Sequence, residues 1–128
     1  MTTEEKDIKV KEAQDKAAEY SKESNQAGGL KYGIVSALIV EKAKDGEVIE
    51  VVVGFMKPST RKAKMVAMNY ISKQEIDRAG ETILNSSLIA EISDPRLTQG
   101  SQDDAVYMSA ALICVGEIEV YQSYIKKN

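Results

Sequence analysis

YGIVSALIVEKAKDGEVIEVVVGFMK, residues 32–57, is the stretch that decides the fold. Two runs rich in β-branched residues flank Asp45-Gly46, a pair favoured in tight hairpin turns, so we predict an antiparallel hairpin with strands at residues 34–41 and 48–56. The first run has an alternative, because Ser36-Ala37-Leu38 also suits a short helix. The second run is almost continuously apolar, which predicts that helices or another copy of the chain cover both faces of that strand for part of its length. Since a two-stranded sheet is not stable alone, helices must cover the hairpin.

The segment after the hairpin predicts a helix with one apolar face. Pro58 ends the strand, and Ser59 or Thr60 can cap the helix that follows. Apolar residues then recur at the i, i+3, i+4, i+7 and i+8 positions of a core-facing stripe. This stripe consists of Ala63, Val66, Ala67, Tyr70 and Ile71.

Two further helices are predicted downstream. Ser72 and Glu75 form an S-x-x-E capping box for the first of them. Gly80 lies on the apolar face of that helix, where glycine costs about 1 kcal/mol of helix stability relative to alanine, and we expect close approach of another backbone to be the reason. The last helix, residues 105–126, is apolar nearly all round up to Val115 and should therefore be central.

The N-terminal residues 3–26 are rich in Lys, Glu and Ala and carry only a thin apolar stripe. We expect a helix that either lies on the surface or depends on a partner for its stability, and that ends at Ala27-Gly28-Gly29. The predicted fold class is therefore α+β, a β-hairpin packed by three to four helices. Residues 1–29 form the peripheral helix and residues 30–128 a single α+β domain.

Composition argues against most enzyme classes. The chain has no histidine, which removes the usual acid/base residue at neutral pH, the commonest metal ligand and the Ser-His triad. No glycine motif for binding phosphate is present. Asp103-Asp104 is a carboxylate pair, but it opens a helix, where capping explains it better than a metal site. We expect a protein that is not an enzyme and binds no cofactor or metal.

Charge and cysteine content set further limits. With 17 basic and 20 acidic residues the net charge is −3, so the chain as a whole does not attract nucleic acid. Cys114 is the only cysteine, which rules out a disulfide within the chain, and its apolar neighbours predict that it is buried. The N-terminus has no signal-peptide core and no run is long enough to span a bilayer, so we expect a cytoplasmic protein without a membrane partner.

The candidate site lies on the helix after the hairpin. At about 100° per residue, Arg61, Lys64, Met65 and Met68 fall on the side opposite the core stripe. Methionine suits adaptable protein-protein surfaces and arginine gives directional contacts, so these four residues are a candidate protein-binding site. Two ordinary explanations stay open: the charges merely keep the helix solvated, or Met65 and Met68 face a second core layer. Nucleic-acid binding by the basic cluster at residues 57–64 is the alternative function, disfavoured by the negative net charge.

Three stretches carry a family resemblance: KPSTRKAKMVAM, IDRAGETILNSS and DPRLTQGSQDDAVYMSAALICVGEIEVYQ. In this order they resemble small bacteriophage and prophage proteins of virion and tail morphogenesis, some of them tail assembly chaperone-like. The similarity spans residues 48–124, and the chain departs from the pattern after Asn85, where Ser86 and Ser87 replace an expected Trp. It implies a non-enzymatic protein that binds phage structural proteins, such as a tape-measure or tail protein, in the host cytoplasm or within the virion. We also expect self-association, because the second strand, the last helix and the N-terminal helix all carry apolar surface.

Overall fold

The computed structural model describes the backbone of residues 1–26 and 32–127 and the side chains of residues 1–24 and 32–116. Helix α1 precedes a hairpin, and three helices follow the hairpin. The elements are α1 (Thr3–Gln26), β1 (Ser36–Lys44), β2 (Glu47–Met56), α2 (Arg61–Ser72), α3 (Ile76–Ser87) and α4 (Asp104–Lys127). Two short 3-10 turns lie between α3 and α4. The predicted α+β class is confirmed.

The hairpin forms at the predicted Asp-Gly pair. Asp45 and Gly46 have φ values of 53° and 80°, the left-handed conformation that a two-residue turn of this kind requires at both positions. The two strands pair antiparallel, with Ile39 opposite Val53 and an irregularity between Lys42 and Ala43. The first run is therefore a strand, and the helical alternative for it is wrong.

Each face of the hairpin is covered by helices of the same chain. Side chains alternate between the two faces of the hairpin, and those on one face, including Leu38, Val40 and Val52, enter the main core with α2, α3 and α4. Side chains on the other face, including Val35 and Phe55, enter a second cluster with α1. The apolar second strand is thus explained within one copy, and its sequence no longer argues for a second.

Helix α1 occupies the predicted residues and docks on the hairpin. Ala13 and Ala17 are buried, and the Tyr20 ring meets the Phe55 ring edge-on with centroids 5.2 Å apart. The hydroxyl of Ser21 accepts a hydrogen bond from the Val35 amide at 2.8 Å. The predicted end of this helix at residues 27–29 lies outside the described residues.

The capping box predicted for α3 is wrong. Ser72 donates its hydroxyl to the carbonyl of Asn69 at 2.7 Å instead of capping α3. Glu75 occupies the N-cap position of α3 without a side-chain cap. Gln74, with φ of 64°, turns the chain sharply between the two helices, and this turn takes Ser72 out of reach of the α3 amides.

Helix α4 is only partly central. Its Val106, Ala110 and Cys114 are buried as predicted. Leu112 and Ile113 are 55% and 47% exposed, so the prediction that α4 is central holds for one side of the helix only. Within the described residues α4 packs mainly against α3 and β1, and the positions of Leu112 and Ile113 stay exposed.

Candidate protein-binding surface

The start of α2 is held in place by hydrogen bonds on both sides of its first residue. Thr60 caps the helix, its hydroxyl accepting from the Ala63 amide at 3.1 Å. Just before it, the hydroxyls of Ser59 and Ser87 share a hydrogen bond of 2.6 Å, and the Lys57 amide donates to the Ser87 carbonyl at 2.9 Å. The first turn of α2 is therefore anchored to the end of α3, and side chains on its outer face project from a fixed base.

The structure separates the four predicted site residues. Arg61 is exposed and Met65 is 64% exposed, as predicted for a binding surface. Lys64 is half-buried. Met68 is also half-buried and packs against the main core, so its placement opposite the core is wrong, and the alternative of a core-facing methionine holds for it.

Val66, in contrast to Met68, is more exposed than its position on the core stripe predicts. The sequence pattern places Val66 on the core stripe, but 38% of this residue is exposed, whereas Ala63 and Ala67 are buried. The buried side of α2 is centred about 40° further round the helix than the stripe predicts, because Ile71 and Met68 pack inward together. We define the α2 surface as Arg61, Lys62, Met65 and Val66, the exposed side chains of the first two turns.

The charge on the α2 surface works against helix stability. Arg61 and Lys62 stand in the first turn, which contains no acidic residue. The N-terminal end of a helix carries partial positive charge, so each cation there costs about 0.3–1 kcal/mol instead of stabilising it. Within the described part of the chain neither Arg61 nor Lys62 forms an ion pair. Local stability therefore does not explain these two cations.

Arg96 and Asp103, ionisable groups of the α3–α4 connection whose pKa values are shifted, form ion pairs with the hairpin. Arg96 donates to both carboxylate oxygens of Glu50 at 2.8 and 2.6 Å and to Asp94 at 2.9 Å. Its guanidinium holds the pKa of each carboxyl below its ordinary value and has its own pKa raised in return. Lys42 likewise lowers the pKa of Asp103, which it contacts at 3.1 Å. These pairs tie the α3–α4 connection to the hairpin.

An open groove of about 440 Å³ runs between α1 and β2. Its apolar floor includes Val51, Val53 and Phe55, while Lys9, Lys16 and Asp94 line its walls. Because both signs of charge are present, the groove favours no one class of charged ligand. Among the described residues no group of acidic or cysteine side chains is arranged to hold a metal ion. No helix in that same part of the chain is long and apolar enough to cross a membrane.

Comparison with protein-family models, with curated protein sequences and with solved structures gives no match for this chain. The functional proposal therefore rests on the surface itself and on the sequence resemblance described above.

Proposed function

We propose that this chain is a non-enzymatic protein-binding protein whose α2 surface holds an acidic, amphipathic segment of another protein. The observation that carries the proposal is that Arg61 and Lys62 form no ion pair with any described residue and stand in a helix turn where cations are electrostatically unfavourable. A carboxylate-bearing partner would relieve that cost and gain charge-assisted hydrogen bonds. Local rules of helix design are commonly broken at functional sites.

Apolar side chains accompany the cations on the same face. Met65 follows Arg61 by four residues and Val66 follows Lys62 by four, so each cation has an exposed apolar neighbour along the helix. Methionine adapts its shape to different partners, which suits a surface that binds a helical or extended segment. Apolar side chains of the partner would pack on Met65 and Val66 while its acids meet the cations.

The resemblance to phage morphogenesis proteins suggests the setting. On that basis the partner is a phage structural protein, such as a tape-measure or tail protein, and the chain acts in the host cytoplasm as a tail assembly chaperone or remains in the virion as a component. Mass spectrometry of purified particles separates these roles, because a chaperone is absent from the particle and a component is present in many copies.

The surface itself is tested with the variant R61E/K62E/M65S. The new acids lie in the first helix turn, where the helix dipole favours them, so the thermal unfolding midpoint should be unchanged or slightly higher. A photoreactive amino acid at Val66 is used to trap the partner in cells that produce particles. We expect a crosslink to a phage structural protein with an acidic, amphipathic segment, and its loss in the variant.

The matched control is K11E/K22E, which makes the same change in net charge on exposed positions of α1. This control should retain the crosslink, because its charges lie outside the α2 surface. Equal crosslinking in R61E/K62E/M65S and the unaltered chain would refute the proposal, as would a marked loss of thermal stability in that variant, which would mean that the side chains are structural.

A further inference from the structure

The backbone groups on the outer edge of β2 are bonded to the connection between α3 and α4. The Phe55 amide donates to the Ser93 hydroxyl at 2.9 Å, and the Phe55 carbonyl accepts from the Ile89 amide at 2.8 Å. The Val53 carbonyl accepts from the Asp94 amide at 3.1 Å. Val53 and Phe55 therefore direct their amide and carbonyl groups away from β1, and the outer edge of β2 is occupied at these two residues.

The register then fixes the direction of the groups on β1. In an antiparallel pair, two residues that face each other without exchanging hydrogen bonds both direct their backbone groups outward. Ala37 lies opposite Phe55, Ile39 opposite Val53 and Glu41 opposite Val51. The amides and carbonyls of Ala37, Ile39 and Glu41 consequently point away from the hairpin, along the free edge of β1.

Only the beginning of this edge is occupied. Val35 has the same parity, and its outward amide and carbonyl both bond to the Ser21 hydroxyl of α1, at 2.8 and 3.4 Å. For Ala37, Ile39 and Glu41, no other described residue bonds to the outward backbone groups. Glu41 pairs through its side chain with Lys6, which leaves its backbone free. An unpaired edge of this kind is a template for another strand.

The side chain of Ile39, at the middle of this edge, is not part of the packed core. Ile39 is only partly buried and belongs to neither apolar cluster, although the flanking Leu38 and Val40 are buried in the main core. No charged residue occurs between Ser36 and Val40. The usual protection of an edge strand, a charge or a proline at its centre, is missing here.

We propose that β1 pairs antiparallel with β1 of a second copy of this chain, centred on Ile39, to form a continuous four-stranded sheet. Ile39 then lies opposite Ile39 of the second copy, and Ala37 lies opposite Glu41. The three outward amides of each copy find the three outward carbonyls of the other, giving six hydrogen bonds across the two-fold axis. This pairing does not depend on the partner proposed for the α2 surface.

Of the registers open to two β1 strands, the one centred on Ile39 pairs all three free residues of each copy, Ala37, Ile39 and Glu41. Shifting the centre to Glu41 would place two glutamates directly opposite each other, which is destabilising. Shifting it to Ala37 would require the backbone groups of Val35, which already bond to Ser21. Centred on Ile39, the strand meets its own copy without a like-charge pair, so it is complementary to itself.

Charge pairing at position 39 tests the proposal. Ile39→Glu and Ile39→Lys each place like charges opposite one another, so each variant alone should dissociate roughly tenfold or more readily than the unaltered chain in sedimentation velocity experiments. An equimolar mixture should restore the dimer as a Glu–Lys pair. The matched controls are Ile49→Glu and Ile49→Lys, which make the same changes at an isoleucine of β2 that is 48% exposed and lies away from the free edge, and they should leave the association unchanged.

Hydrogen exchange tests the unaltered protein without any substitution. The amides of Ala37, Ile39 and Glu41 should become protected as the protein concentration rises, whereas exposed amides of α1 should not. The proposal is overturned if the chain stays monomeric to about 1 mM, where even an association of about −4 kcal/mol would be half complete. It is equally overturned if the chain dimerises but both Ile39 variants associate as tightly as the unaltered protein.

Discussion

Replacing Gly80 by alanine tests how closely α3 packs on α4. A Cβ atom at position 80 would overlap the carbonyl oxygen of Ala111, and it would lie 2.7 Å from the carbonyl carbon and 3.1 Å from Cγ2 of Val115. The nearest atoms belong to helix backbone, which cannot rotate aside as a flexible side chain can. The two helices must therefore move apart to admit the methyl group.

The expected loss in the free energy of unfolding of Gly80→Ala is the difference between two opposing effects. Alanine is favoured over glycine in a helix interior by about 1 kcal/mol. Overpacking a tight core costs about 1–3 kcal/mol, and a backbone clash belongs at the upper end of that range. The free energy of unfolding should then fall by about 2 kcal/mol. With an unfolding entropy of about 270 cal/mol/K for a chain of this length, the unfolding midpoint should fall by about 7 °C.

Gly116→Ala is the matched control, since it makes the same change in α4. A Cβ atom at that position meets nothing within 4 Å, so only the propensity effect applies. The free energy of unfolding should rise by up to about 1 kcal/mol and the midpoint by about 4 °C. Both variants are compared by thermal and urea unfolding followed by circular dichroism. If Gly80→Ala is as stable as the unaltered protein or more so, the close approach of α3 and α4 is refuted.

Three other measurements follow from the packing and the ion pairs. Leu97 is fully buried against Gly54, so Leu97→Ala should lower the free energy of unfolding by about 2–5 kcal/mol in urea titrations, and a loss under 1 kcal/mol would contradict its place in the core. Arg96 depresses the pKa of Glu50 and Asp94, so the unfolded chain binds more protons than the folded one in acid. The two ion pairs therefore stabilise the fold fully at neutral pH, and their contribution is lost as the pH falls below about 4. Arg96→Gln should therefore lose less stability between neutral pH and pH 3 than the unaltered protein, and equal losses would show that the pairs do not act. Cys114 is buried, so it should react with a thiol reagent only after unfolding, and rapid labelling of the native protein would contradict its position.

The hairpin could be predicted from sequence because the residues that specify its turn and strands are neighbours in the chain. Asp45-Gly46 adopts the turn on account of its own backbone preferences, and the flanking runs form strands through their own β propensity. The same holds for Thr60, which caps α2 through an amide three residues away. Gly80 also marked a close backbone contact, because a glycine in the middle of an apolar helix face has few other structural explanations.

The candidate site was predicted only in part. The spacing of apolar residues gives the direction of the buried side of a helix too coarsely to decide whether a residue at its border is buried or exposed. Met68 and Val66 lie near the two borders of the buried side of α2, and a rotation of about 40° exchanges their environments. That rotation is set by how α3 and the hairpin pack on α2, which no pattern within α2 contains. Met65 lies farther from both borders and stays exposed under either choice.

The sequence by itself determined the class of fold, the turn, the helices and the burial of Cys114, since each depends on residues within a few positions of one another. Only the tertiary structure decided what covers the second face of β2 and which backbone groups along the two edges of the hairpin are occupied. Ser21 and residues 87–94 occupy backbone groups that lie more than ten positions away along the chain. The bonds that the backbone amides and carbonyls of residues 87–94 make can be made by almost any residue type, so they leave no mark in composition or periodicity. The free edge at Ala37, Ile39 and Glu41 becomes visible only when the partners of all its neighbours are known.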